Sequence, residues 1–305
     1  MKAGCLFQKG ITIILFIFFL HFNAQKITIV NKSNNRIFCF QNNIKYEVSK
    51  NKEFEINIFS ETIITDENKI IINLINFLEP KEQLKIEIHN DGKFSFDGDK
   101  KKNYEYIYGG ISQNLQATLK KYVELSQKGD LSSFINFSEL ALINHLKMLN
   151  LTTVFDEQND SIAQKNLKQV LKYRWLGWLF LVGNTDGKSI FFRNIVNYYF
   201  SKYIKRDIES YSCNSLDDFL KYNIIETIVK LNSKDIKLPI YPIVKSTEYD
   251  SLNKYLHKSC QQAKLLESYS FNLHKKNPKY KLYKEILIND FGMNKDLIEK
   301  YGTNE

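Results

Sequence analysis

The sequence is poor in the residues that break or cross-link a chain. Four prolines and twelve glycines in 305 residues exclude a collagen-like repeat and a Pro/Gly linker protein. Four cysteines, none in a Cys-x-x-Cys pair, exclude a disulfide-dense scaffold and argue against dithiol exchange by this chain. Signature motifs are missing as well. There is no Gly-x-Ser-x-Gly, no His-Glu-x-x-His and no Gly-x-Gly-x-x-Gly, so the familiar hydrolase, zinc-protease and dinucleotide fingerprints are absent. What remains is ordinary globular material: 43% hydrophobic and 25% charged residues, enough to build a core.

The one long apolar stretch lies at the start. Lys2 and Lys9 precede the run Ile11–Phe22, and Asn23-Ala24-Gln25 places a small residue after it. The run is shorter than the roughly 20 residues a bilayer span needs, so residues 1–24 read as a signal peptide cut between Ala24 and Gln25. Cys5 precedes the run and is not placed for lipid attachment. Export to the periplasm, the cell surface or the medium is the expected destination, with no membrane span after cleavage. The exported chain keeps Cys39, Cys213 and Cys260. Three is odd, so one thiol stays free or pairs outside the chain, and which of them form a disulfide is open.

Beyond the leader the period of the apolar residues changes once, near residue 100. Ile44, Tyr46 and Val48 alternate with polar neighbours, as do Phe54, Ile56 and Ile58, and Leu84, Ile86 and Ile88. That alternation is antiparallel sheet with one wet face. Seven runs fit: 26–30, 36–41, 44–49, 54–60, 69–76, 84–89 and 93–97. Asn90-Asp91-Gly92-Lys93 joins the last two through a turn that accepts positive φ. After residue 100 helices are expected near 103–128, 131–149, 160–182, 189–205, 215–231, 246–275, 279–291 and 295–301. Ser215 with Asp218 suits a capping box, and Pro239 and Pro242 mark an extended link. Tyr249, Leu252, Leu256, Ala263, Leu266 and Leu273 form one apolar stripe. The expectation is an α+β fold: signal peptide 1–24, a small antiparallel β-sandwich at 25–99 and an all-helical domain at 100–305. The join is short and free of Pro and Ser repeats, so the two parts should share an interface.

Charge divides at the same place. Residues 25–99 carry net −2 and residues 100–305 net +9. The cations are mostly lysines, scattered rather than clustered, which fits solvated helix faces better than a nucleic-acid patch.

Each candidate site has a plainer reading. Gly183–Ser189 resembles a P-loop, but three residues separate its glycines where four are needed, and Val182 stands where the first glycine should be. As an EF-hand the stretch puts Asn184, Asp186 and Gly187 at positions 3, 5 and 6. Val182 and Arg193 then fall where carboxylates are required. Asp97-Gly98-Asp99, with Asp91 near, fits a hairpin closure better than a metal site. His89, His145, His257 and His274 have no partner three or four residues away to bind zinc with, and each reads as a surface or packing residue. Asp217 and Asp218 are adjacent and point apart, as first-turn acids do. Trp175 and Trp178 sit in the apolar run Trp175–Val182, which places them in a central helix rather than on a sugar or base platform. No catalytic, cofactor or metal residue is assigned.

Four features together resemble the exported TlpA-like thiol–disulfide oxidoreductases of the Bacteroidetes. They are the leader ending at Ala24-Gln25, the small sandwich, the step Phe96-Asp97-Gly98-Asp99 with Asn103-Tyr104 after it, and the helical segment Phe192–Phe200. In that family a thioredoxin domain with a Cys-x-x-Cys nucleophile comes last. This chain stops where that domain should begin, so the resemblance implies the family's non-catalytic N-terminal region and carries over no catalytic residue. Three functions are consistent with these readings. The first is a non-enzymatic exported module that binds a protein or peptide. The second is a hydrolase with a site at the sheet–helix junction. The third is a non-catalytic partner of a thioredoxin-like enzyme, using a free cysteine. A deep pocket would favour the enzyme and a flat apolar patch the binder.

Overall fold

The computed structural model describes residues 25–56, 62–155, 157–183, 190–205 and 258–303. Among the described residues eight strands form two four-stranded sheets. They are β1 (Lys26–Asn31), β2 (Ile37–Gln41), β3 (Ile44–Val48), β4 (Glu53–Ile56), β5 (Thr62–Thr65), β6 (Ile70–Leu74), β7 (Gln83–Ile88) and β8 (Phe94–Gly98). The first sheet has the order β4-β1-β7-β8 and the second β3-β2-β5-β6. With the helices that follow, this is an α+β fold. Every ladder is antiparallel but one: β1 pairs with β7 in parallel, Ile27 beside Leu84 and Ile29 beside Ile86. The chain makes β2 to β6 between these two strands, a crossover long enough to allow parallel pairing. Alternation reports which face is buried, not strand direction, so the expectation of a wholly antiparallel sandwich fails at this pair.

The second sheet explains why seven runs were visible rather than eight. β2 and β5 are its two central strands. Ile37, Cys39 and Ile64 face the inter-sheet core, while Phe38, Phe40 and Ile63 are buried on the other side. A strand covered on both faces does not alternate, and Thr62-Ile63-Ile64-Thr65 is buried throughout. At the edge the opposite happens. Of Ile44, Tyr46 and Val48 only Val48 is buried, for β3 is an edge strand of this sheet. Its turn, Asn42-Asn43, has positive φ at both residues, 48° and 65°, the geometry that matches strand twist in a two-residue loop. The β7–β8 connection uses the expected Asp91-Gly92, at φ 64° and 71°.

The helical elements begin three residues after β8. Helix α1 (Lys101–Glu105) passes through a π-helical turn at Tyr106–Gly110 into α2 (Ile111–Lys128). Gly129 at φ 66° ends it, and Asp130 caps α3 (Leu131–Met148) by accepting from the Ser133 amide at 3.0 Å. Next come α4 (Ile162–Gly183) and α5 (Ile190–Tyr199), the latter running into a second π-helical turn at Phe200–Ile204. The C-terminal elements are α6 (Lys258–His274), α7 (Lys279–Asn289) and α8 (Lys295–Thr303). These bounds lie within a few residues of the expected ones wherever residues are described. The helix at 215–231, the Ser215 cap, Asp217-Asp218, the Pro239–Pro242 link and the first half of the 246–275 helix lie outside the described residues. Of the stripe expected there, Leu266 is buried and Leu273 packs beside it. Among the described residues no helix is long and apolar enough to cross a membrane.

Two cores result. The larger is continuous from Ile29 and Ile86 between the sheets, through Phe77, Tyr104 and Ile107, to Trp175, Leu179 and Tyr199 among α2–α5. Polar ties accompany it: the Asn166 amide donates to the Asn76 carbonyl at 3.1 Å, and the Ser161 hydroxyl to Glu79 at 2.5 Å. The smaller core lies on the outer face of the second sheet. There Leu265, Leu266, Tyr269, Tyr283, Leu287, Leu297 and Ile298 from α6–α8 cover Phe38, Phe40 and Ile63. Each of those three sheet residues contributes about 1.5–3 kcal/mol by leaving water, which is why helices from the far end of the chain return to the sheet.

Candidate functional site

The sheet–helix junction was the expected place for a site, and its geometry begins at Gly98. Its φ is 99°, and a Cβ there would lie 2.6 Å from the Gln83 carbonyl oxygen, so only glycine fits. Asp99 then closes the β7–β8 ladder. Its amide donates to the Gln83 carbonyl at 2.7 Å, and its carboxylate accepts from the Gln83 amide at 2.8 Å. Asp97-Gly98-Asp99 is thus a strand closure. Among the described residues no group of three or more His, Cys, Asp or Glu could hold a metal.

Tyr104 and Tyr108 fill the junction. Tyr104 packs on Phe77 and Phe96, centroids 4.9 and 5.2 Å away, and its hydroxyl accepts from the Phe77 amide at 2.9 Å. Tyr108 accepts from the Ile75 amide at 2.9 Å and donates to the Asn73 carbonyl at 2.7 Å, tying down backbone groups at the edge strand β6. Arg174 of α4 lies over the Tyr108 ring at 5.4 Å and donates to the Ile107 carbonyl. One buried and one partly buried ring whose hydroxyls bond to backbone make a seam rather than a cleft.

Tyr106, from the same π-helical turn, meets α3 instead. Its hydroxyl lies 2.5 Å from His145 Nδ1, and the exposed Asn114 amide donates to it at 3.3 Å. The phenol oxygen thus has partners on two sides, Asn114 and His145. Gly110 gives the ring room, for a Cβ there would meet it at 2.8 Å. Burial pushes the His145 pKa down to about 4 and raises that of Tyr106. The result is a neutral, satisfied pair under the surface. Helical bulges of this kind recur at functional sites, and here the bulge gives α3 its contact with the seam helix. The sequence offered no signal for it, since 39 residues separate the partners.

A third cluster lies among α3–α5. Glu139 accepts from Tyr203 at 2.5 Å and from Tyr198 at 3.3 Å, and Lys202 approaches it at 3.0 Å. Trp175 is wholly buried between Tyr199 and Tyr203, and Trp178 is partly buried against the same core. Nearby, the buried Lys168 ammonium bridges Asp160 at 2.6 Å and the Phe155 carbonyl at 3.0 Å, which lowers the Asp160 pKa.

The remaining candidates disperse. His89 bonds Ser95 at 2.8 Å on the first sheet, and the exposed His274 turns back to its own helix at the Ser270 carbonyl. Gly183 ends α4, and the rest of the glycine-lysine stretch lies outside the described residues, as does His257. Cys39 is fully buried and its pKa is pushed up to about 12 by burial, so it presents no thiolate to a redox partner. Cys213 and the side chain of Cys260 lie outside the described residues.

One surface feature stands apart. On the outward face of α3, Leu140, Ile143 and Met148 are 60%, 45% and 59% exposed. They lie at helical spacing, rimmed by Asn136, Asn144 and Lys147. No family model, curated protein or solved structure matches the chain.

Proposed function

We propose that this chain is an exported, non-enzymatic module that binds a protein partner through the exposed face of α3. The observation that carries this reading is the row Leu140, Ile143 and Met148, apolar side chains left in water within a polar rim. Such patches mark interaction surfaces. The rim holds Lys147, the neighbouring Glu139 is already paired with Lys202 at 3.0 Å, and the helical half of the sequence is net +9. The occupant inferred is therefore a partner surface with apolar anchors and an acidic border. The basic, apolar leader at residues 1–24 supports export.

A photo-crosslinking residue at Asn144, introduced in exporting cells, tests the site. The expected result is an adduct with one protein, lost in a Leu140→Glu/Ile143→Glu double variant whose circular dichroism is unchanged. Adducts with many proteins, or one that survives the double variant, would overturn the reading. Export is tested by N-terminal sequencing of the mature protein. The first residue expected is Gln25, and a start at Met1 rules it out.

A further inference from the structure

The core among α3–α5 gathers rings that are readily oxidised by one electron. Trp175 has Tyr199 and Tyr203 at the same centroid distance, 5.2 Å, both edge-on. Rings this close exchange an electron without forming a bond. A third tyrosine, Tyr122, bonds the Trp175 indole and Ser138 and has no carboxylate partner among the described residues. Tyr199 and Tyr203 differ in what can receive a proton. The Tyr203 hydroxyl donates to Glu139 Oε2 at 2.5 Å, the short range of a hydroxyl–carboxylate bond. Lys202 fixes the other oxygen of that carboxylate at 3.0 Å, and Tyr198 reaches it only at 3.3 Å. The Tyr199 hydroxyl faces Ser138, whose own proton goes to the Phe134 carbonyl at 2.6 Å. Its partner there is thus a hydroxyl, too weak a base to take a phenol's proton, whereas Tyr203 has a carboxylate. A phenol that loses an electron becomes a strong acid, so its oxidation is favourable only where the proton can leave with the electron.

We propose that Trp175, Tyr203 and Glu139 form a proton-coupled relay that gives electrons one at a time to a one-electron oxidant, such as an organic radical, and leaves the oxidising equivalent on Tyr203. The oxidant gains one electron, and Trp175 becomes a radical cation. Trp175 recovers that electron from Tyr203. The Tyr203 O–H bond breaks, its proton bonds to Glu139 Oε2, and a neutral tyrosyl radical remains beside a protonated carboxyl. One electron and one proton are accounted for, and Tyr199, at equal distance, is passed over for want of a proton acceptor.

The test uses the full chain. Light absorbed by tryptophan but not by tyrosine ionises the two tryptophans, and the optical bands of the tryptophanyl and tyrosyl radicals are followed in time. In the wild type the first band should convert into the second. In Tyr203→Phe the tyrosyl band should be lost and the tryptophanyl radical should persist. Tyr199→Phe and Trp178→Phe should convert as the wild type does. Glu139→Gln should slow the conversion and remove its solvent deuterium isotope effect. Conversion that survives in Tyr203→Phe, or that disappears in Tyr199→Phe, overturns the proposal. Should Glu139→Gln fail to fold, the two conservative tyrosine variants still decide.

Discussion

The sandwich meets helices in two places, and the two contacts are built from different chemistry. At the end of β8 the contact is an aromatic seam, in which Tyr104 and Tyr108 send their hydroxyls to backbone groups of the residues after β6 and to the edge of β6 itself. It is continuous with the core of α2–α5. On the outer face of the second sheet the contact is a separate apolar cluster held by cations. Lys300 donates to the Asp66 and Glu67 carbonyls at 2.6 and 2.8 Å, and Lys45 pairs with Asp296. Both ammonium groups lie over the Phe38 ring, at 5.9 and 4.3 Å. A continuous core transmits damage to the whole molecule, whereas a satellite cluster confines it. Uncharged hydrogen bonds also ignore salt, and ion pairs do not.

The largest expected effect is therefore in the continuous core. Trp175→Ala should cost about 3–5 kcal/mol, read as a lower denaturant midpoint for the sandwich and the helices together. If only helical signals move, the two halves do not share a core. Acid comes next. An unfolded histidine takes its proton near pH 6.5, whereas His145 does so near about 4. The unfolded chain thus binds that proton first, and stability falls as pH drops through this window and levels off below it. The full shift corresponds to about 3 kcal/mol. Other groups titrate in the same range, so the measure is the wild type against His145→Gln, which keeps an acceptor for Tyr106. Equal pH slopes would show that the histidine is not held neutral.

The satellite should respond less and locally. Lys300→Met leaves the buried Asp66 carbonyl and the part-buried Glu67 carbonyl without that donor, at about 1–3 kcal/mol. Hydrogen exchange should quicken in 258–303 and stay unchanged in α2–α5. A global loss would merge the two cores. The smallest effect belongs to Asp296→Asn, about 0.2–1 kcal/mol because both partners are partly exposed. It should vanish in high salt, where Trp175→Ala keeps its effect.

Legibility followed locality. The helices at 131–149 and 279–291 and the alternating strand Leu84–Ile88 were visible because each has one wet face and a steady period. β5 was not, because burial on both faces removes the period. The patch at Leu140 and Ile143 was hidden for a related reason: an apolar residue in a helix reads as core until the fold leaves it outside. The Tyr106–His145 pair and the Glu139 cluster had no spacing to betray them.

What the sequence determined by itself was the class of each segment and the change from sheet to helix near residue 100, since backbone geometry imposes periods of two and 3.6 on neighbouring side chains. The tertiary structure alone decided that β1 runs parallel to β7, that α6–α8 return to cover Phe38, Phe40 and Ile63, and that Glu139 accepts from Tyr203 and Tyr198. Those outcomes depend on which apolar faces meet across many tens of residues, and no local period records that choice.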